Sequence, residues 1–325
     1  MRVSKLFVAM LLSVGFMGTA VAQQKLELKV SEIWGDDYPN TKALRLMGES
    51  LAKSTDGRLT MKVYSNGTLG TEKEVIEQVK LGALAMARVP GNLMNNICEE
   101  TIVPSLPFLF RSTEHMHKAL DSDVGQEILS SCDSKGYVGL AFYDSGSRSI
   151  YSKRPIKTLA DAKGLKLRVQ QSDVMVEMVN AMGGNPSPMP MGEVYTGLRT
   201  GLIDAAENNI PSYESGKHFE AAKYYNRTEH LMSPEVVIIS KVIWDKISPE
   251  DQKLIRDAAK QSVTDQRKFW AEREKSSLDI VLKAGSVMVD ADKAEFEKAM
   301  GPVYARFVKS DKMKELVKKI QDMKE

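Results

Sequence analysis

The sequence predicts an α/β protein built as two lobes. Three observations predict it. Strands and amphipathic helices run in β-α-β-α-β order from Leu26 to Val89. The same kind of pattern restarts at Tyr137 and runs to Ala206. A helical stretch from Ser248 to Gly285 stands apart from both runs.

In the first run, Leu26, Leu28 and Val30 alternate with polar residues, the period of a half-buried strand. Pro39 opens a helix with Ala43, Leu44, Met47 and Leu51 on one face, and Gly57 closes it. Leu59, Met61 and Val63 form the next strand. Thr71 and Glu74 have capping-box spacing, with Val75, Ile76 and Val79 as a buried stripe and Gly82 as the stop. Residues 84–89 read as a third strand, and the order implies largely parallel pairing.

In the second run, Tyr137–Tyr143 reads as a strand, and Leu165, Leu167 and Val169 alternate in another. Ser172 caps a helix bearing Met175, Met178, Val179 and Met182, which is core filling at helical spacing. Gly183 and Gly184 stop it, and Pro186, Pro188 and Pro190 break the chain. Glu193–Thr200 reads as a short helix and Leu202–Ala206 as a strand.

The late helix has Ser248 as cap, Pro249 at its first position and Asp251 completing an S-x-x-D box. Unbroken to Gly285, it is about 50 Å long and can span both lobes. The alternative is two helices with a kink near Gln266.

Composition narrows the function. Hydrophobic residues at 42% and charged residues at 27% are ordinary for a globular chain, which excludes rods and disordered polymers. Arg2 and Lys5, the apolar run Leu6–Phe16 and the small residues Ala20-Val21-Ala22 form an export signal with cleavage expected after Ala22. Removing residues 1–22 takes away two basic residues and no acid, so basic and acidic counts become equal. Nucleic acid is therefore a poor partner. Export permits a disulfide between Cys98 and Cys132, two separate thiols being the alternative.

Polar groups gather where strands end, the place open α/β sheets use for ligands. Glu32 and Trp34 follow the first strand. Arg88 ends the third, with Asn92 and Asn95 in the loop beyond. Ser145, Ser147 and Arg148 follow 137–143, Arg168 ends 165–169, and Asn208 and Asn209 follow 202–206. Three guanidiniums, several amides and few carboxylates suit an anion that carries hydroxyls. Each also has a structural alternative. Arg168 could be a solvated edge charge, Arg148 could point into water from a Ser/Gly-rich turn, Arg88 could pair with Glu99 or Glu100, and Asn208-Asn209 could be turn residues.

Catalytic patterns are weak. Ser50-Leu51-Ala52-Lys53 has S-x-x-K spacing but lies inside an amphipathic helix, and no K-T-G follows. There is no G-x-S-x-G, P-loop or G-x-G-x-x-G. His115 and His117 lack a carboxylate-rich third metal ligand nearby. Asn226-Arg227-Thr228 matches a glycosylation sequon.

Several motifs in order are more specific: GLKLRV at Gly164–Val169, PMPMGEVY at Pro188–Tyr195, and LRTGLIDAAEN at Leu198–Asn208. NGTLG at Asn66–Gly70, PSLPFLF at Pro104–Phe110 and SPEV at Ser233–Val236 accompany them. Together they resemble the solute-binding proteins of TRAP (tripartite ATP-independent periplasmic) transporters across essentially all of the mature chain. The resemblance implies a periplasmic binding protein fold, with a hinge between the lobes and the long helix packed across both. It implies lobe 1 from 23–145 plus about 234–270, and lobe 2 from 146–233 plus about 271–325. By resemblance, Arg168 holds the ligand carboxylate, Arg148 assists and Asn208 contacts the ligand, while the loop from Glu32 through Trp34 to Asp37 and the Arg88 position vary with substrate; Asn92 and Asn209 join them as strand-end amides. The stretches Ser31–Pro39, Asp144–Ser149 and Glu207–Ser215 are similar to the branch that binds sugar acids such as glucuronate and galacturonate. A C4-dicarboxylate, sialic acid or another oxo acid is the alternative ligand, and a periplasmic enzyme or sensor the alternative class. The resemblance further implies periplasmic location, small and large integral membrane permease subunits as partners, and no cofactor, metal or ATP in the binding step.

Overall fold

The computed structural model describes residues 25–324, so the export signal lies outside the described residues. Among the described residues, eleven strands form two sheets. In chain order they are β1 (Leu26–Ser31), β2 (Leu59–Tyr64), β3 (Met86–Pro90), β4 (Tyr137–Tyr143), β5 (Ser147–Ser152), β6 (Lys166–Val169), β7 (Asn185–Pro188), β8 (Ala205–Asn208), β9 (Tyr224–Met232), β10 (Glu235–Ser240) and β11 (Val287–Asp290). The first sheet has the order β2-β1-β3-β10-β4 and the second β11-β9-β5-β8-β6-β7.

The first run of elements forms as its periodicity predicts. β1 pairs in parallel with β2, setting Leu28 opposite Met61 and Val30 opposite Val63. Leu28 and Val30 bury against Ala43, Leu44, Met47 and Leu51 of the helix Pro39–Ser54. The Thr71–Glu74 capping box starts the helix Glu72–Lys80, whose Val75, Ile76 and Val79 are buried. The expectation of largely parallel pairing needs correction. β10 returns from late in the chain and runs antiparallel between β3 and β4.

Corrections in the second sheet have local causes. The prolines at 186 and 188 do not break the chain but lie in β7, at the sheet edge and parallel to β6. An edge strand leaves one row of amides unpaired, so missing N–H groups are tolerated there. The strand expected at 202–206 forms at Ala205–Asn208, which makes Asn208 a strand residue. The stretch expected as a turn around Arg148 is β5, hydrogen-bonded to β8 and β9. The methionines at 175, 178 and 182 are fully buried core, as their spacing predicts.

Two short crossovers join the sheets: residues 144–146 between β4 and β5, and residues 233–234 between β9 and β10. The third link is the helix Pro249–Lys283, unbroken over 35 residues. Its first half packs on the helix Pro39–Ser54 and on β4, and it also contacts the helix Ile210–Ser215 of the second sheet's side. The helix Asp311–Gln321 turns back to pack against residues 99–105 and the helix Asp123–Ser130. Cys98 and Cys132 are disulfide-bonded, with Cα atoms 5.3 Å apart.

Candidate ligand-binding site

Three arginines are among the largest fully buried side chains, and each ends up on a strand facing the junction of the sheets. Their partners differ, and that difference defines the site.

Arg88 on β3 is held by two carboxylates. Its Nε donates to Glu32 Oε2 at 2.7 Å and its Nη2 to Glu32 Oε1, while Nη1 donates to Glu235 Oε2 at 2.6 Å. Glu99 and Glu100 are not its partners. Burial opposes the charge on Arg88, but the two carboxylates outweigh it and raise the guanidinium well above its ordinary value. Glu32 also accepts from the Trp34 amide at 3.0 Å, which ties the loop after β1 into the same knot.

Arg148 on β5 is 1% exposed, so the expectation of a turn residue pointing into water is corrected. Its Nε and Nη2 grip both oxygens of Glu207 at 2.6 and 2.8 Å, and Nη1 donates to Asn208 Oδ1 at 2.8 Å. Burial would raise the Glu207 carboxyl, but the charge and hydrogen bonds of Arg148, with the His230 ring 3.6 Å away, hold it down to about 2.

Arg168 on β6 has no carboxylate partner among the described residues. Its Nε and Nη2 both donate to the Met189 carbonyl, at 3.0 and 2.7 Å. Its Nη1 is buried without a hydrogen-bond partner. Burial lowers its pKa from the ordinary guanidinium value, with Tyr151 and Glu207 acting against that. A guanidinium still stays protonated in any accessible pH range. Arg168 is thus a desolvated cation with no carboxylate against it among the described residues.

The amides are arranged around these groups. Asn92 bridges the lobes, donating to Gln170 Oε1 at 2.7 Å and accepting from Ser233 Oγ at 2.8 Å. Asn209 caps the helix Ile210–Ser215 through Ser212 N at 2.8 Å and donates to Ser145 at 3.1 Å. Asn208 uses its Oδ1 on Arg148 and on the Asn209 amide, leaving Nδ2 with only a 3.9 Å contact to Met191 Sδ. The Trp34 ring stacks on Tyr38 with centroids 4.7 Å apart.

Sequence reasoning missed Glu72, Gln170 and Glu207. Glu72 lines a small, partly open space of about 10 Å³ beside Arg168 together with Thr71, Gln170 and Met189. Burial is the main cause that pushes its carboxyl up to about 7. Its sequence signal was present, since it is the first residue of a capped helix that begins at the cleft. Glu207 lies within the motif Leu198–Asn208, but nothing local marks it as the partner of Arg148.

Residues outside the site resolve plainly. His115 binds the Ile320 carbonyl and His117 binds Asp144, so the H-x-H pair does not converge. Asn226 is fully buried in β9, with its side chain bound to Ile156 N and Ile150 O, which rules the sequon out as a surface acceptor.

Two α/β sheets joined by short crossovers and one long helix, with a buried cation at their junction, define a two-lobed solute-binding protein. The match to known proteins makes the family definite. Residues 30–311 match the model of bacterial extracellular solute-binding protein family 7 (DctP), and the chain belongs to that family, the solute-binding proteins of TRAP transporters. A solute-binding protein of Chromohalobacter salexigens is 40% identical over 316 residues, covering 96% of this chain and 93% of that one. A TRAP periplasmic solute-binding protein of Bradyrhizobium sp. BTAi1, in complex with α/β-D-galacturonate, is 53% identical with a TM-score of 0.91 over 92% of this chain and all of that one. Its counterpart from Pseudomonas putida F1, with bound D-glucuronate, is 38% identical with a TM-score of 0.90 over 92% of this chain and 98% of that one. The family and these neighbours are solute-binding proteins, not enzymes, and they work with membrane permease subunits.

Proposed function

We propose that the protein captures a hexuronate, glucuronate or galacturonate, in the cleft between its lobes and delivers it to the small and large integral subunits of a TRAP permease. The observation that carries this is the state of Arg168, the one buried arginine of the three without a carboxylate partner among the described residues. One ligand carboxylate matches one free guanidinium. A C4-dicarboxylate would bring a second carboxylate, but Arg148 and Arg88 are already neutralised by Glu207, Glu32 and Glu235. The hexuronates bound by the similar structures support the same reading.

In this reading Arg168 is the clamp. Arg148 orients Asn208, whose Nδ2 donates to a ring or hydroxyl oxygen. Glu72 and Gln170 meet hydroxyls near the clamp. Arg88 and Glu32 present the far wall, with Trp34, Asn92 and Asn209 closing the site. Residues 1–22 act as a cleaved export signal that places the mature chain in the periplasm. Lobe 1 comprises 23–145 and about 234–270, and lobe 2 comprises 146–233 and about 271–310. The packing of Asp311–Gln321 on residues 99–105 supports assigning that last helix to lobe 1 instead of lobe 2.

The test is a thermal-shift screen of ligand-stripped protein against uronates, aldonates, C4-dicarboxylates and sialic acid. Ligand at ~100 times its dissociation constant adds about 2.7 kcal/mol of stability. A shift with a uronate and none with a dicarboxylate is expected. The reverse pattern rejects the sugar-acid assignment.

A further inference from the structure

We infer that the site extends beyond the arginine pocket and that the extension accepts a neutral sugar joined glycosidically to the acid. This rests on the sugar-acid reading above. The space beside Arg168 meets, at Thr71 and Pro190, a second space that runs along the seam between the lobes. That groove holds about 500 Å³, within the ~300–1,000 Å³ typical of small-molecule sites. Trp34, Asn66 and Glu74 form one wall, and Met191, Glu193 and Tyr195 the other.

Its chemistry suits a pyranose. The Trp34 indole, backed by Tyr38, offers an apolar plate for the C–H face of a sugar ring. Asn66 and Glu193 offer hydrogen-bonding groups for its hydroxyls, and the Tyr195 hydroxyl, which donates to Glu220 at 2.7 Å, keeps an oxygen able to accept. Its charge favours a neutral second residue. Glu74 and Glu193 line the groove, no Lys or Arg does, and burial keeps its one imidazole, His218, uncharged near neutrality. A second uronate there would face carboxylates without a counter-cation.

Gly192 allows the groove to be blocked by itself. It is exposed along the groove, and a Cβ added there meets no atom within 4 Å. Isothermal titration would compare galacturonate and glucuronate with 2-O-galacturonosyl-rhamnose, 2-O-glucuronosyl-xylose and digalacturonate. The expected result is that at least one acid extended by a neutral sugar binds within about tenfold of its free uronate, with digalacturonate at least tenfold weaker. Gly192→Leu should weaken the extended acid at least tenfold and leave the free uronate within twofold. The inference is overturned if the extended acids do not bind while free uronate does, if digalacturonate binds equally well, or if a folded Gly192→Leu protein binds the extended acid unchanged. Failure of the free uronates alone rejects the sugar-acid reading, and the extended acids still decide the groove.

Discussion

The side-chain amide of Gln266 closes on both backbone groups of Asp144. Its Oε1 accepts from the Asp144 N–H and its Nε2 donates to the Asp144 carbonyl, each at 2.9 Å. Gln266 is fully buried in the middle of the long helix, at the position where the alternative reading placed a kink. Asp144 opens the crossover between the sheets. Two residues on, Gly146 has φ +60, and a Cβ there would come within 3.0 Å of Trp270 Nε1. The helix therefore does not merely pass the crossover; it holds the crossover backbone.

Replacing Gln266 should loosen that grip. Gln266→Leu keeps the volume but leaves the Asp144 backbone groups and Asn40 without their partner. The expected loss is about 1–3 kcal/mol, read from urea unfolding. A Leu variant as stable as the parent would show that the amide contributes only bulk.

Arg168 and Arg148 should fail in opposite ways. Arg168→Ala removes the clamp and should weaken uronate binding by ~2–5 kcal/mol in calorimetry. It also removes a buried, unpaired cation, so the stability of the ligand-free protein should hold or rise. Arg148→Ala strands Glu207 as a buried charge and should cost about 3–5 kcal/mol of stability. Unchanged affinity in Arg168→Ala would end the clamp assignment.

Two carboxylates give stability opposite pH dependences. Glu72 is raised from 4.5 to about 7, so the folded state holds its proton more tightly than the unfolded chain. Its contribution to stability is full below pH 4.5 and is lost as pH rises to about 7. Glu207 is depressed from 4.5 to about 2, so its contribution is present above pH 4.5 and lost as pH falls toward 2. Thermal melts of Glu72→Gln should lack the decline between pH 4.5 and 7 and keep the acid limb. A Gln variant with the parent's decline would place its cause in another group.

The disulfide closes a stretch with sequence separation 34. Replacing both Cys98 and Cys132 by Ser should lower stability by about 2–4 kcal/mol, chiefly by freeing the unfolded chain. Denaturant melts of the double variant against the oxidised parent check this. Ligand affinity should be preserved, since the bond lies outside the cleft.

What the sequence by itself determined is what local pattern encodes. Alternation placed β1, β2 and β6, the S-x-x-D box began the long helix, and the 71–74 box began its own helix, because strand periodicity and capping act over a few residues. Strand-end position and motif order also picked out Arg168. Only the tertiary structure decided which arginine is free. Arg88 is neutralised partly by Glu235, 147 residues away, and Arg148 by Glu207, 59 residues away. Those pairings exist because β10 inserts beside β3 and β5 pairs with β8. A charge's partner is set by which strands become neighbours, and no short window of residues contains that information.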